Sequence, residues 1–207
     1  VSTGEGRNSI TSDNGLAYTG RVELLPFGSF TKGNDYFEGD LAREAKPKLS
    51  IGFVGHRNEN ASRSLGQTGN LLYEKRNLSS QLVDILFKYN GWAASGEYLS
   101  RYTFNPITED ANGNTKYVFV GNGHNYQLSY CFRSNVELVA RHSAVYPGQK
   151  IQSLEKTKKQ FTLGMNKYLK GHRVKLQGDI TLEQWNERAT DTSGKCWIYR
   201  LQIEMGI

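Results

Sequence analysis

Nine basic side chains stand on the polar side of segments in which polar and apolar residues alternate. They are Arg21, Lys48, Lys88, Arg101, Arg133, Arg141, Arg173, Lys175 and Arg200. Because successive side chains of a strand point to opposite faces, these cations would share the water-facing side of a sheet. Rows of Arg and Lys along a pore favour anions. The nine residues are therefore candidates for lining a pore.

Acidic residues occupy the same predicted side and nearly balance the basic ones. They are Glu23, Asp84, Glu97, Glu137, Asp179, Glu183 and Glu204. One interpretation is a network of neighbouring ion pairs that holds the wall rigid. The other is a weak preference for anions, which the small basic excess would create.

Catalytic chemistry is not indicated. His142 and Ser143 are the only adjacent pair of base and nucleophile, and neighbours in a strand point to opposite faces. No G-x-S-x-G elbow is present, and the Gly121–Gly123 repeat precedes no helix, so it is interpreted as a turn. We therefore predict that the chain is not an enzyme and uses no cofactor.

Metal and nucleic-acid binding are not indicated either. Cys131 and Cys196 form no CxxC motif and fall on non-neighbouring predicted strands, which predicts two free thiols. The acidic pair Glu109 and Asp110 offers too few convergent oxygens for a calcium site. The basic residues are scattered among acids and form no stripe, so no nucleic-acid partner is expected.

The clearest element that could position these side chains is a strand at the end of the sequence. One face would carry Trp197, Tyr199, Leu201, Ile203, Met205 and Ile207. The other face would carry Ile198, Arg200, Gln202, Glu204 and Gly206. This pattern predicts a strand that runs to the last residue, which is typical of outer-membrane barrels.

The same alternation recurs in eight further segments. They are 16–25, 47–57, 79–90, 92–102, 124–133, 136–146, 160–169 and 172–184. These lengths fit the roughly 9–11 residues that a tilted strand needs to cross a bilayer. About nine strands are therefore predicted, and because bacterial barrels have even counts, further N-terminal strands are expected outside this sequence.

The predicted connections alternate between short and long. Tight turns are expected at Asn90-Gly91, at Ser134-Asn135 and at Lys170-Gly171. Long polar loops are expected at 58–77, 103–121, 147–158 and 185–195. Outer-membrane barrels have short periplasmic turns and longer extracellular loops. Residues 26–46 break this rule as a long periplasmic-side connection, in which a short helix is expected near Asp40–Ala45.

Composition and aromatic positions agree with a membrane setting. Apolar residues are 37% of the chain, below the roughly 45–50% of globular proteins, as expected if only alternate residues face lipid. Aromatic residues near the predicted strand ends would form two interfacial girdles. They are Tyr89, Trp92 and Phe132 on one side, and Tyr102, Phe104, Tyr146 and Trp197 on the other.

The predicted fold is all-β, a transmembrane antiparallel up-and-down β-barrel. Two alternatives stay open. A soluble β-barrel or sandwich that serves as a binding module would show the same alternation with its faces reversed. A nutrient-uptake barrel would carry a plug outside this sequence.

Several segments resemble the phosphate-selective porin O and P family, in its Bacteroidetes-type branch. They are Gly15–Gly28, Gly33–Leu41, Pro47–Gly52 and Arg200–Gly206. The resemblance implies a sixteen-stranded, homotrimeric porin of the bacterial outer membrane, with residues 1–207 as the C-terminal half of one barrel domain. It also implies passive diffusion of small hydrophilic solutes, including anions such as phosphate, in contact with lipid and lipopolysaccharide. No individual phosphate ligand can be transferred by motif.

Overall fold

The computed structural model describes residues 1–4 and 15–206, which form an antiparallel β-sheet. Its strands are β1 (Ser2–Thr3), β2 (Leu16–Leu24), β3 (Lys48–Arg63), β4 (Leu71–Tyr89), β5 (Trp92–Tyr102), β8 (Gly121–Cys131), β9 (Val136–Pro147), β10 (Thr157–Lys170), β11 (Val174–Glu187) and β12 (Thr192–Met205). Each strand pairs with the next along the chain, except that a separate hairpin, β6 (Ile107–Glu109) and β7 (Thr115–Tyr117), is inserted between β5 and β8.

The all-β, up-and-down part of the prediction is confirmed. Within the described residues, β12 pairs only with β11, and β1 forms the other edge, so these strands do not close into a ring. Two short 3-10 helices, Thr31–Tyr36 and Gln149–Ile151, lie in the connections. No helix of the described chain is long and apolar enough to cross a membrane.

The predicted strands are present, but several are longer than expected. β5 has the predicted bounds, whereas β3 and β4 extend toward each other and leave only residues 64–70 as their connection. β11 and β12 likewise leave only residues 188–191. The predicted long loops at 58–77 and 185–195 are therefore wrong. Backbone pairing continues there although most of the residues are polar, because the hydrogen bonds of the ladder join backbone groups and do not require alternation of side chains.

Two local predictions are corrected as well. No helix forms at 40–45, because the helical turn of this connection lies earlier, at Thr31–Tyr36. β12 ends at Met205, so the predicted strand does not reach Gly206, and Ile207 lies outside the described residues. Trp197, expected at a strand end, lies in the sixth position of β12.

The tight turn between β4 and β5 has the predicted geometry. Asn90 and Gly91 both adopt positive φ angles, 48° and 93°, as a type I′ hairpin turn requires. A Cβ atom on Gly91 would lie 2.7 Å from the carbonyl oxygen of Cys131. This end of the sheet, with the turns at 90–91, 132–135 and 171–173, is called the tight-turn end.

One face of the sheet is apolar and exposed. Register places Ile85, Tyr126, Phe161 and Trp197 in one row across the strands. We call this the apolar face; its exposed side chains include Phe53, Ile85, Trp92, Tyr126, Leu128, Leu138, Phe161, Leu163, Met165, Ile180, Trp197, Tyr199, Leu201, Ile203 and Met205. Leu201 is 89% exposed and Tyr199 is 72% exposed, so the apolar side chains of this face are not a core.

The opposite face is polar and partly buried. We call it the polar face; its buried side chains include Ser50, Lys88, Gln127, Ser129, Glu137, Thr162 and Thr181. The apolar core is a small cluster at the end opposite the tight turns, where the β6–β7 connection and the second helical turn pack on β3 and β4. Its residues are Ala61, Leu78, Val118, Val120 and Ile151. Soluble domains bury their apolar side chains, and this sheet does the reverse.

The turn at Gly91 allows the effect of steric contact to be distinguished from the effect of backbone strain. We expect Gly91→Ala to destabilise the folded protein more than Gly113→Ala. Both positions have positive φ, which costs a non-glycine residue about 1–3 kcal/mol, but only Gly91 has neighbours within contact distance of the new Cβ. Denaturant unfolding in detergent measures the difference, and equal losses for the two variants would contradict the placement of Cys131 against the turn.

Candidate functional site

Residues 26–46, which we call the covering segment, lie across the polar face near the tight-turn end. Lys88 of β4 is completely buried beneath them. Its ammonium group donates hydrogen bonds to three backbone carbonyl oxygens, those of Asn34 at 2.5 Å, Phe37 at 2.6 Å and Gly39 at 2.8 Å. Because a charged donor strengthens each bond, Lys88 anchors the segment to the sheet.

Two buried carboxylates shape the covering segment from within. Glu44 accepts hydrogen bonds from the Thr31 backbone N–H and hydroxyl, both at 2.8 Å, and from the side-chain amide of Asn34 at 3.1 Å. Asp40 accepts from the same amide at 2.8 Å and from the Gly91 N–H at 2.7 Å. Burial alone would raise the pKa of Glu44, but the bonds from Thr31 and Asn34 outweigh burial and hold this pKa below its ordinary value.

Arg43 ties the covering segment to the tight turns themselves. Its guanidinium group donates to the Cys131 carbonyl oxygen at 2.5 Å and to the Asn90 carbonyl oxygen at 2.8 Å. At the turn between β10 and β11, the ring of Phe37 stacks on His172, with centroids 3.6 Å apart. The segment is therefore attached to turns that lie far apart in sequence.

Glu137 of β9 lies buried beneath the segment. Its Oε2 atom accepts hydrogen bonds from the Tyr168 hydroxyl at 2.6 Å and the Asn166 amide at 2.8 Å. Its Oε1 atom is buried without a hydrogen-bond partner in the described chain. Gly39 lies directly against this carboxylate, and a Cβ atom at position 39 would collide with it. A glycine at 39 thus allows the close approach of the segment.

Three of the predicted pore-lining cations are paired with carboxylates on other strands of the sheet. Arg21 contacts Asp84 at 2.6 Å, Lys175 contacts Glu204 at 2.9 Å, and Arg200 contacts Asp179 at 2.8 Å. These pairs join β2 to β4 and β11 to β12 on the polar face. The geometry agrees with the interpretation of the charges as a network that stabilises the wall.

Three further candidates are not where the sequence pattern placed them. Arg133 and Arg173 lie in tight turns, because β8 ends at Cys131 and β11 begins at Val174. Lys88 faces the predicted side but is covered by residues 26–46 and so does not meet solvent.

The remaining candidates stay on the polar face. The Lys48 ammonium group donates to the Phe27 carbonyl oxygen at 3.0 Å, and Arg101 donates to the Ser80 hydroxyl at 3.3 Å. The side chain of Arg141 makes no hydrogen bond or close ion pair with any described residue and acts on Asp179 only at longer range. Arg141 is therefore the least engaged of the predicted cations that lie within the strands of the polar face.

A cavity of about 210 Å³ remains beside the covering segment, between Glu38 and strands β8 to β12. It is lined by Glu38, Gln127, Val139, Arg141, Thr162, Gly164, Asn166, Gln177, Gly178, Asp179, Arg200 and Gln202. The sequence predicted Arg141 and Arg200 as pore-lining residues but did not single out the four side-chain amides as part of a site. Each amide alternates with apolar residues in its strand, which places it on the polar face but does not distinguish it from the other polar residues there.

Other reactive groups lie apart from this cavity. His124 and His142 approach each other to 3.3 Å between ring nitrogens, and the His142 ring packs on Phe161 of the apolar face. Cys131 is buried and Cys196 is exposed, and both thiols are free. Across residues 1–4 and 15–206, no group of three or more His, Cys, Asp or Glu side chains could hold a metal ion.

Comparison of the chain with protein-family models, with curated proteins and with solved structures found no match. The two faces of the sheet and the covering segment are therefore the features of this chain that bear on its function.

Replacing Lys88 tests the anchor. In Lys88→Met, three buried carbonyl oxygens lose their charged donor, at a cost of about 1–3 kcal/mol for each unsatisfied group. We expect the covering segment to detach and to be cut by protease within residues 26–46 while the sheet stays folded. The control is Lys158→Met, an exposed lysine of β10 for which we expect no change.

From the lowered pKa of Glu44 we predict how attachment of the covering segment to the sheet depends on pH. Because its folded pKa is lowered, its stabilising effect is complete above the ordinary value of 4.5 and is lost as the pH falls through the folded pKa. Amide hydrogen exchange of residues 31–44 should accelerate below pH 4.5, after correction for the intrinsic rate. Glu44→Gln should remove this dependence, whereas Asp110→Asn, in a distant connection, should leave it unchanged.

Proposed function

We propose that this chain forms part of the wall of an outer-membrane β-barrel porin through which small hydrophilic solutes diffuse passively. The observation that carries the proposal is the reversed distribution of side chains. The apolar face is exposed, while the polar face holds ion pairs, buried amides and the covering segment.

The apolar face would be energetically unfavourable in water. Leaving a large apolar side chain in water instead of burying it forfeits about 1.5–3 kcal/mol, and this face exposes many of them side by side. Extensive apolar patches mark surfaces that contact membrane or protein. Hydrocarbon tolerates strands only when their backbone groups are paired, as those of β3 to β11 are on both sides.

The polar face has the properties of a surface in contact with water. Its amides, hydroxyl groups and ion pairs need a polar environment, which the lumen of a porin supplies. A soluble binding module would instead need the apolar face inside, and among the described residues no second layer covers that face. The covering segment narrows the space beside the polar face, which favours passage of small solutes.

Preference for anions such as phosphate and assembly as a homotrimer remain predictions of the family resemblance. Arg21, Lys175 and Arg200 are each neutralised by a carboxylate. The described polar face therefore offers little free positive charge, and the anion preference depends on residues such as Arg141.

Tryptophan quenching by brominated lipid tests the orientation of the sheet. Trp92 and Trp197 lie on the apolar face, whereas Trp185 shares the polar face with Glu183. The full-length protein would be prepared as three single-tryptophan variants, with phenylalanine at the other tryptophans, and reconstituted into vesicles with bromine on the acyl chains. We expect strong quenching of Trp197 and Trp92 and weak quenching of Trp185.

Strong quenching of Trp185 with weak quenching of Trp92 and Trp197 would contradict the proposed membrane orientation and favour a soluble module. Equal, weak quenching of all three tryptophans in a folded protein would also contradict the proposal, because it would place neither face in lipid.

Ion selectivity gives a second test. Because the charges of the described polar face are nearly balanced, we expect a reversal potential close to zero for the full-length channel in a potassium chloride gradient. Arg141→Glu should shift the potential toward cation preference, since it reverses the least engaged cation. Arg57→Glu, on the apolar-face side of β3, is the control. A strong anion preference of the unmodified protein would instead support the prediction of a phosphate-selective porin.

A further inference from the structure

We propose that the cavity beside Glu38 binds a neutral, polyhydroxylated solute about the size of one sugar ring. This inference rests on the proposed channel, because the solute must reach the polar face from water. It names the chemical class of solute that would pause there during passage.

The charges that line the cavity sum to zero. Glu38 and Asp179 are acidic, and Arg141 and Arg200 are basic. Arg200 is largely occupied, because its Nε atom donates to both carboxylate oxygens of Asp179, at 3.1 and 3.0 Å, and its terminal nitrogen donates to the Thr181 hydroxyl at 2.8 Å. Only Arg141 and one oxygen of Glu38 remain for a ligand, and their charges oppose each other.

The equal numbers of acidic and basic side chains around the cavity disfavour phosphate as its ligand. A bound phosphate would meet the carboxylates of Glu38 and Asp179, and like charges at contact distance raise the free energy of binding. Arg200 could serve the anion only by giving up its bonds to Asp179. A neutral solute meets neither cost.

Side-chain amides supply what a sugar hydroxyl needs. Each amide both donates and accepts hydrogen bonds, as each hydroxyl does. Asn166 accepts from Gln177 at 3.2 Å and donates to Glu137 at 2.8 Å, so these two amides are held in place by the wall. Gln202 stands next to Gln177 across the β11–β12 pair, and its side-chain amide makes no hydrogen bond with a described residue.

Glu38 closes the site from the covering segment. The Gln127 amide donates to its Oε2 atom at 3.1 Å, which orients the carboxylate toward the strands. Its Oε1 atom remains available to accept a hydroxyl hydrogen. Donors from Arg141 and Gln202 and an acceptor on Glu38 thus surround the same space from opposite sides.

The volume of the cavity limits the ligand. At about 30 Å³ for each water molecule, 210 Å³ holds about seven waters. This volume is below the roughly 300–1,000 Å³ of sites for drug-sized ligands. One sugar ring matches this scale, and a longer oligosaccharide would extend beyond the cavity along the polar face.

Single-channel recording tests the site with named probes. The full-length protein in a planar bilayer would be titrated with D-glucose and, separately, with sodium phosphate at constant ionic strength. We expect D-glucose to interrupt the current in the millimolar range and phosphate to have little effect. Gln202→Leu and Arg141→Met should each weaken the glucose effect about tenfold, or about 1.4 kcal/mol.

The control is Gln81→Leu, which makes the same chemical change on the apolar-face side of β4. It should leave the effect of glucose unchanged. Heat-modifiable migration in gel electrophoresis verifies that each variant is folded, and Glu38→Gln provides a third variant on the covering segment in case a strand variant fails to fold.

The possible outcomes distinguish failure of the proposed binding site from failure of the proposed channel. Conductance that phosphate interrupts and glucose does not would overturn this inference and indicate an anion site. Conductance indifferent to both probes, or a glucose effect that survives the site variants, would also overturn it while leaving the channel in place. Absence of conductance from a folded protein would instead contradict the proposed function.

Discussion

The position of the covering segment depends on one buried cation. The Lys88 ammonium group forms no ion pair with a carboxylate of residues 1–4 or 15–206, and it donates to the carbonyl oxygens of Asn34, Phe37 and Gly39. A buried charge requires such compensation, since an unpaired one is costly. Around this anchor, Glu44 and Arg43 attach the rest of the segment to itself and to the turns. The cavity beside Glu38 exists because the segment is held at this distance from the strands.

The sheet and the covering segment have complementary roles in the proposed channel. The sheet separates two environments, because one face exposes mainly apolar side chains and the other carries paired charges. Cross-strand pairs such as Arg200 with Asp179 stiffen the polar face and reduce its free charge. The segment then converts a broad polar surface into a smaller space lined by amides. Passage of solute would depend on this remaining space more than on the net charge of the chain.

Prediction from sequence succeeded where the structure of a segment is set by its own residues and these form a regular pattern. The β4–β5 hairpin was found because Asn90-Gly91 favours a tight turn and alternation on both sides is clear. It failed where polar residues continue a strand, as in residues 58–63 of β3. Arg133 and Arg173 were placed in strands that end two residues before and begin one residue after them. Strand ends depend on pairing with the neighbouring strand, which alternation does not report.

The amino-acid sequence by itself determined which residues alternate, and so which side chains share a face, because strand geometry has a period of two. Only the tertiary structure decided which charges are neutralised. Arg21 and Asp84 are 63 residues apart and meet through the register of three strands. The burial of Lys88 likewise depends on residues 26–46. The sequence of this irregular segment shows no periodic pattern from which its position could be predicted. Contacts between segments distant in the chain arise from packing, and no local pattern of residues encodes them.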